Sequence, residues 1–226
     1  MIGKRIDLRE RLILAESLCY SGFHGLVRFL KRVVLFVVLT ETLGTLVLAL
    51  LWLRDMDPAK ALWMVLFHSV SAFNNAGFSI LPGGLETYRH DLPVLLVFAV
   101  LIALGGLGFY VAWDVFLFLR GKVPRLSTHT KVVLLSSSLL LTCGWVLLML
   151  TEIGHRGEPV DMVFLSVSSR TAGFSTVDLS QLSESSLFLL IILMFIGASP
   201  GGTGGGVKTV TFTLIRLFNR RPFSGR

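Results

Sequence analysis

Two stretches far apart in this chain could act on a cation. Ser69-Val70-Ser71-Ala72-Phe73-Asn74-Asn75-Ala76-Gly77-Phe78-Ser79 and Ser166-Val167-Ser168-Ser169-Arg170-Thr171-Ala172-Gly173-Phe174-Ser175 repeat one pattern of small and polar residues. Neither offers a nucleophile with its base. What each offers is backbone: an extended loop can turn successive carbonyls inward and replace the hydration shell of an ion. Gly77 and Gly173, lacking a Cβ, can adopt the positive φ that aims neighbouring carbonyls, and Ala76 and Ala172 allow the backbones to crowd an axis. The candidate ion-binding backbone is therefore Asn74, Asn75, Ala76 and Gly77 with Arg170, Thr171, Ala172 and Gly173. Ordinary interhelical packing glycines are the alternative. The duplication in matching context weighs against it.

The copies differ in ways that matter. Asn74-Asn75 stands where the second copy has Arg170-Thr171, and the first copy carries one extra residue between its Ser-Val-Ser and its Ala-Gly-Phe. Unlike loops imply a pseudo-symmetric pore. An unpaired arginine beside a cation path would be costly, so Arg170 is expected to turn behind the loop toward an acidic residue or carbonyls. A repulsive role in the path is the alternative.

A third feature, Gly197-Ala198-Ser199-Pro200-Gly201-Gly202-Thr203-Gly204-Gly205-Gly206-Val207-Lys208-Thr209, interrupts the last apolar run. It is no phosphate-binding loop, because Val207 precedes Lys208 and no strand leads into it. An unwound segment at membrane depth must line protein or water. We read Gly201, Gly202, Thr203, Gly204, Gly205, Gly206 and Lys208 as a gate below the filter; a flexible kink is the plainer account.

These loops need elements that hold them inside a membrane. Of the 226 residues 53% are hydrophobic and 15% charged, against about 25% charged in soluble domains. Mean hydropathy is +0.75. Long apolar runs lie at about Val33 to Leu53, Leu92 to Leu119, Val132 to Leu150, and Leu187 to Phe218 with an interruption. Each can supply the ~20 residues that cross a ~30 Å core. Shorter pieces, Pro58 to Phe73 and Pro159 to Ser169, read as half-helices opened by proline at the first turn. A half-helix ending inside the membrane aims its unpaired carbonyls at the centre, which favours a cation.

The order is span, half-helix, loop, span, given twice: an all-α polytopic membrane protein with two such repeats. The divisions expected are a cytoplasmic helical connector at residues 1–31, a repeat at 32–120, a cytoplasmic linker at 121–131 and a second repeat at 132–226. Gly22 and Gly25 would bend the connector. Lys4, Arg5, Arg28, Lys31, Arg32, Arg120, Lys122, Arg125, Lys131, Arg216 and Arg220 mark the inner side. Asp55, Asp57, Glu86, Asp91, Glu152, Glu158, Asp161, Asp178 and Glu184 mark the outer. The net charge of +7 thus sorts by alternate loop, which argues against nucleic acid. No signal peptide is evident.

Cys19 and Cys143 are too few for a metal site and read as packing residues. Glu41, His68 and Asp114 lie within apolar segments, so they should face protein and be paired or protonated.

Ser69 to Ser79, Ser168 to Asp178 and Phe195 to Thr209 resemble the second filter loop, third filter loop and gating loop of the Trk/Ktr/HKT superfamily of potassium transporters. The wording Asn74-Asn75-Ala76-Gly77-Phe78 and Arg170-Thr171-Ala172-Gly173-Phe174 is most similar to the Ktr-type membrane subunit of bacteria. That resemblance implies K⁺ as the transported ion, held by filter carbonyls, and a glycine-rich gate. It also implies a homodimer on a cytoplasmic ring of nucleotide-binding regulatory subunits, in a bacterial plasma membrane. The family pore has four repeats in one chain and this chain carries two. It is therefore expected to be a piece of a longer protein, or to need a partner polypeptide that supplies the missing repeats.

The expected function is K⁺ uptake, with no cofactor and no enzymatic activity. Alternatives are Na⁺ or combined K⁺/Na⁺ transport, and a non-conducting assembly subunit. A membrane enzyme is more remote, since no catalytic constellation is present.

Overall fold

A computed structural model describes residues 26–52, 57–153 and 158–211. All regular structure among these residues is helical. Helix α1 (Leu26–Trp52) leads to the half-helix α2 (Pro58–Phe73), a 3₁₀ turn (Gly84–Tyr88), then α3 (Leu92–Leu107) and α4 (Phe109–Leu119). The second repeat follows the same order: α5 (Thr128–Thr151), the half-helix α6 (Pro159–Ser168), a 3₁₀ turn (Leu179–Gln181) and α7 (Glu184–Phe195). The expected bends at Gly22 and Gly25 fall outside the described residues.

Local chemistry sets the starts. Asp57 accepts from the Lys60 amide at 3.3 Å, and Asp91 from the Val94 amide at 3.3 Å. Ser127 and Ser183 cap α5 and α7 through the Thr130 and Ser186 amides, each at 3.2 Å. Such caps satisfy amides that a helix start leaves orphaned, at about 1 kcal/mol each. Proline opens α2 and α6, as their sequences predict.

Among the described residues, α1 and α5 are long and apolar enough to cross a membrane, and α3 with α4 joins them if the bent pair counts as one span. The uninterrupted span expected over Leu92 to Leu119 is not straight: it bends by 103° at Gly108. The bend requires a glycine at its corner. Gly108 has φ +90°, and a Cβ there would overlap the Pro200 carbonyl, so the glycine-rich segment is nested in the bend. The last run breaks too, leaving α7 only 12 residues, or ~18 Å at ~1.5 Å per residue.

The duplication extends to packing. Ser69 Oγ donates to the Glu41 carbonyl of α1 at 2.8 Å, and Ser166 Oγ to the Leu141 carbonyl of α5 at 2.8 Å. Beside them, a Cβ on Gly44 would lie 2.6 Å from Ser69 Oγ and 2.9 Å from Leu101; one on Gly144 would lie 2.7 Å from Ser166 Oγ and 3.1 Å from Leu193. Each half-helix is thus seated against its preceding span by one glycine, one serine and one leucine. The main core gathers Leu48, Trp52, Val65, Phe73 and Phe98 of the first repeat with Phe164 and Phe174 of the second. Cys143 is exposed on α5 and does not pack in the core as expected, because the inward position beside it is taken by Gly144. Cys19 lies outside the described residues.

Candidate functional site: two loops and a glycine strap

Each half-helix delivers its loop into the middle of the fold, and both loops take the same conformation. Asn75 (φ 52°) and Gly77 (φ 72°) are left-handed in the first; Thr171 (φ 71°) and Gly173 (φ 79°) are left-handed in the second. Alternation of this kind rotates successive peptide groups relative to one another. Glycine takes such a φ without penalty and asparagine tolerates it. For β-branched Thr171 it is a genuine outlier, held by surroundings that include the Gly205 amide on its Oγ1 at 2.9 Å.

The extra residue of the first copy is absorbed where α2 ends. There the Asn75 amide bonds the Ala72 carbonyl at 3.1 Å and the Ala76 amide the Ser71 carbonyl at 2.9 Å, a Schellman closure. Helix α6 closes more tightly, with the Ala172 amide on the Ser168 carbonyl at 2.9 Å. Beyond the closures the loops are pinned alike. Ser71 Oγ donates to the Phe78 carbonyl at 2.8 Å, and Ser168 Oγ to the Phe174 carbonyl.

The loops meet at their glycines. A Cβ on Gly77 would stand 2.8 Å from the Ala172 carbonyl oxygen and 2.9 Å from Gly173 Cα; one on Gly173 would stand 3.1 Å from Gly77 Cα. Any side chain there would drive the backbones apart. Ala76 and Gly173 stay exposed on the open side of this contact, whereas Asn75 and Ala172 are buried. Asn74 is turned the other way, its Nδ2 on Glu41 Oε1 at 2.7 Å and on the Val70 carbonyl at 2.9 Å.

Below the loops runs the glycine-rich segment, which is tied rather than slack. The Ser199 and Thr203 amides bond the Gly106 and Gly105 carbonyls, each at 3.0 Å, satisfying groups exposed where α3 breaks. Thr203 Oγ1 donates to the Phe73 carbonyl at 2.9 Å and accepts from Asn75 Nδ2 at 2.8 Å. Gly204 sits under the second loop, where a Cβ would come within 2.8 Å of Thr171 Oγ1. Lys208 Nζ folds back onto the Gly204 carbonyl at 2.8 Å. Gly201, Gly202, Gly205 and Gly206 complete the strap, the last two exposed.

The charged groups within apolar segments are engaged. Arg170 Nη2 reaches the Gly197 carbonyl at 3.5 Å, in line with the expected turn toward carbonyls; among the described residues it has no acidic partner, and its buried Nε has no hydrogen-bond partner. His68, fully buried, contacts the Met64 carbonyl at 2.7 Å and Ser79 Oγ at 3.0 Å. Asp114 accepts from the Ser127 amide at 2.9 Å.

Several site residues escaped sequence reasoning. Gly105 is one: a Cβ there would overlap the Phe73 carbonyl and lie 2.7 Å from Thr203 Oγ1 and 3.0 Å from Asn75 Nδ2. The signal was present as Gly105-Gly106-Leu107-Gly108 within an apolar run. Asp161, expected only to mark the outer side, and Arg89 are others. They form a pair at 2.5 Å, with Asp161 fully buried.

Comparison with known proteins places this geometry. Residues 21–225 match the family model described as TrkH, cation transport protein. The chain is 37% identical over 223 residues to the Ktr system potassium uptake protein B of Vibrio alginolyticus, covering 95% of this chain and 49% of that protein. It is 34% identical over 224 residues to the protein of the same name from Bacillus subtilis, covering 95% and 50%. With the potassium/sodium uptake protein NtpJ of Enterococcus hirae it shares 32% over 231 residues, 99% of this chain and 51% of that one. The fold matches the crystal structure of the potassium transporter TrkH from Vibrio parahaemolyticus with a TM-score of 0.68 at 21% identity, over 96% of this chain and 48% of the other. The chain spans about half the length of the curated relatives it matches. It belongs to the TrkH cation transport protein family, on the Ktr-like side, and is a membrane protein.

Proposed function

We propose that this member of the TrkH family forms half of a K⁺ uptake pathway, completed by two further repeats of the same kind. The observation that carries the reading is the shared left-handed pattern at Asn75 with Gly77 and at Thr171 with Gly173, in loops that touch at their glycines. Backbone carbonyls of Asn74, Asn75, Ala76, Gly77, Arg170, Thr171, Ala172 and Gly173 then supply part of the cage for a dehydrated ion, and other repeats the remainder. Phe174 supports a cyclic arrangement. It packs edge-on to Phe98 of the first repeat, centroids 5.3 Å apart, whereas Phe78 is 69% exposed. Phe78 stands where a preceding repeat would present its own second span.

The strap from Gly201 to Gly206 acts as the gate, with Lys208 adding positive charge near the path. Its ties to Phe73, Asn75 and Thr171 couple its position to both loops. The resemblance to the Ktr-type membrane subunit extends the proposal to a homodimer seated on cytoplasmic nucleotide-binding regulatory subunits.

Serine at Gly77 or Gly173 in the intact protein tests the filter. Both variants should lower K⁺ preference over Na⁺ by roughly tenfold or more, since a left-handed non-glycine residue costs ~1–2 kcal/mol before any clash. Gly83→Ser is the control, because Gly83 has φ +78° with nothing within 4 Å of a Cβ. Gly44→Ser would not serve, given the 2.6 Å approach to Ser69 Oγ. Selectivity unchanged in both filter variants at normal expression returns these glycines to packing. Thr203→Val tests the gate by freeing the strap from Phe73 and Asn75; flux should rise with selectivity nearly unchanged, and reduced flux would make the strap part of the path.

A second reading, transport of Na⁺ alongside K⁺, draws on the name of the Enterococcus hirae relative. Equal K⁺ and Na⁺ uptake by the unaltered protein would favour it.

A further inference from the structure

Pore helix α6 carries a carboxylate in its first turn that serves the loop at its other end. Asp161 is fully buried. Its Oδ1 accepts from Thr176 Oγ1 at 2.7 Å, and its Oδ2 accepts from Arg89 Nε at 2.7 Å with Nη2 at 2.5 Å. Thr176, also fully buried, lies three residues beyond Gly173 on the strand of loop running back along α6. The second filter loop is therefore held twice: at its inner end by Ser168 on the Phe174 carbonyl, at its outer end by Asp161 on Thr176.

Arg89 comes from the other repeat, at the end of the Gly84–Tyr88 turn. His90 beside it faces Glu158 at 3.6 Å, a more exposed pair at the same junction. Asp161 is the position at which a carboxylate could cap its own helix, yet both oxygens point elsewhere. A buried carboxylate needs its charge matched and its lone pairs occupied. Here the guanidinium does the first and shares the second with the hydroxyl, so neither partner is expendable.

We propose that Arg89, Asp161 and Thr176 form an inter-repeat tether that positions the second filter loop, Asp161 acting as a positioning residue for ion selection. This rests on the reading of the loops as an ion filter. A fastening of the fold alone would leave selectivity indifferent to the hydroxyl of Thr176. A tether sets the outer end of the loop, and with it the spacing of carbonyls on which discrimination between cations of different radius depends. By joining the repeats, it also makes the geometry of one filter loop depend on the turn that follows the other.

The test uses the intact transporter, measuring K⁺ over Na⁺ preference together with thermal stability. Thr176→Val keeps the shape and removes the hydroxyl; Thr176→Ser keeps the hydroxyl. Thr176→Val and Arg89→Gln should each lower the preference by roughly threefold to tenfold, the range of one buried hydrogen bond. Thr176→Ser should retain it. The double variant should be no worse than the poorer single one, because the residues act as a unit. Arg89 is partly exposed, so Arg89→Gln remains informative if a core variant fails to fold. Preference held within twofold in both Thr176→Val and Arg89→Gln overturns the tether, whatever their stability. Gly173→Ser, measured alongside, separates the two ideas: if it shifts selectivity while the tether variants do not, only the tether falls; if none shifts it, the filter reading falls as well.

Discussion

The two loops proposed as the filter share a backbone pattern but not a set of supports. Behind the first, His68 holds Ser79 Oγ at 3.0 Å inside an aromatic enclosure of Trp52, Phe67 and Phe98. Behind the second, Asp161 holds Thr176 with its charge answered by Arg89 from the neighbouring repeat. The first support is local to its repeat and the second reaches across the junction. Phe174 is buried edge-on to Phe98 of the first repeat, whereas Phe78 is exposed. In the proposed pore each repeat would be completed by its neighbour in head-to-tail order, as in a heterologous interface.

Expression of this chain alone in a transport-deficient host should give no K⁺ uptake above background, and adding the remaining repeats should restore it. Uptake by the chain alone would break the comparison at its root, since two unlike loops would then suffice. The phenylalanines come next. In the intact protein Phe78→Ala should destabilise as Phe174→Ala does, by about 3 kcal/mol, because both would then be buried. Thermal or denaturant unfolding that finds only Phe174 costly would mean that Phe78 faces lipid rather than another repeat.

What could be read from the sequence was local. The prolines at Pro58 and Pro159, the glycines at Gly77 and Gly173 and the apolar runs fix element order because each acts over a few residues. The bend at Gly108 went unread despite the Gly105-Gly106-Leu107-Gly108 signal, since hydropathy runs unbroken from Leu92 to Leu119 and the Pro200 carbonyl packed into the bend lies far along the chain. Thr171 in a left-handed conformation was equally unreadable, because its strain is held by Gly205, 34 positions away. Arg89 and Asp161, 72 apart, each resembled an ordinary surface charge. Side-chain identity told of the loops; the ties between them are properties of the fold.

Smaller effects sharpen the comparison. Ser71→Ala and Ser168→Ala should each cost about 1 kcal/mol, the net worth of one hydrogen bond to a loop carbonyl, and by similar amounts. Unequal losses would show that the loops are pinned differently despite matching geometry. The smallest effect concerns the turns after the loops. Asp178, exposed, caps the second through the Ser180 amide at 3.0 Å and hydroxyl at 2.8 Å, which lower its pKa; the first turn begins at Gly83 with no side-chain cap. A carboxylate whose folded-state pKa is depressed contributes above the ordinary carboxylate range and loses that contribution as pH falls through the lowered value. Hydrogen-exchange protection of the Ser180 amide should therefore fade on acidification below the ordinary aspartate range, and that of the first turn should not follow it.

The central claim is that both loops face one ion. Rubidium or thallium soaked into crystals of the intact transporter would locate it by anomalous scattering. The account predicts a peak flanked by the backbones of Asn75 to Gly77 and of Thr171 to Gly173, on the open side where Ala76 and Gly173 are exposed. Anomalous density elsewhere in the protein, with none beside either glycine, would contradict it.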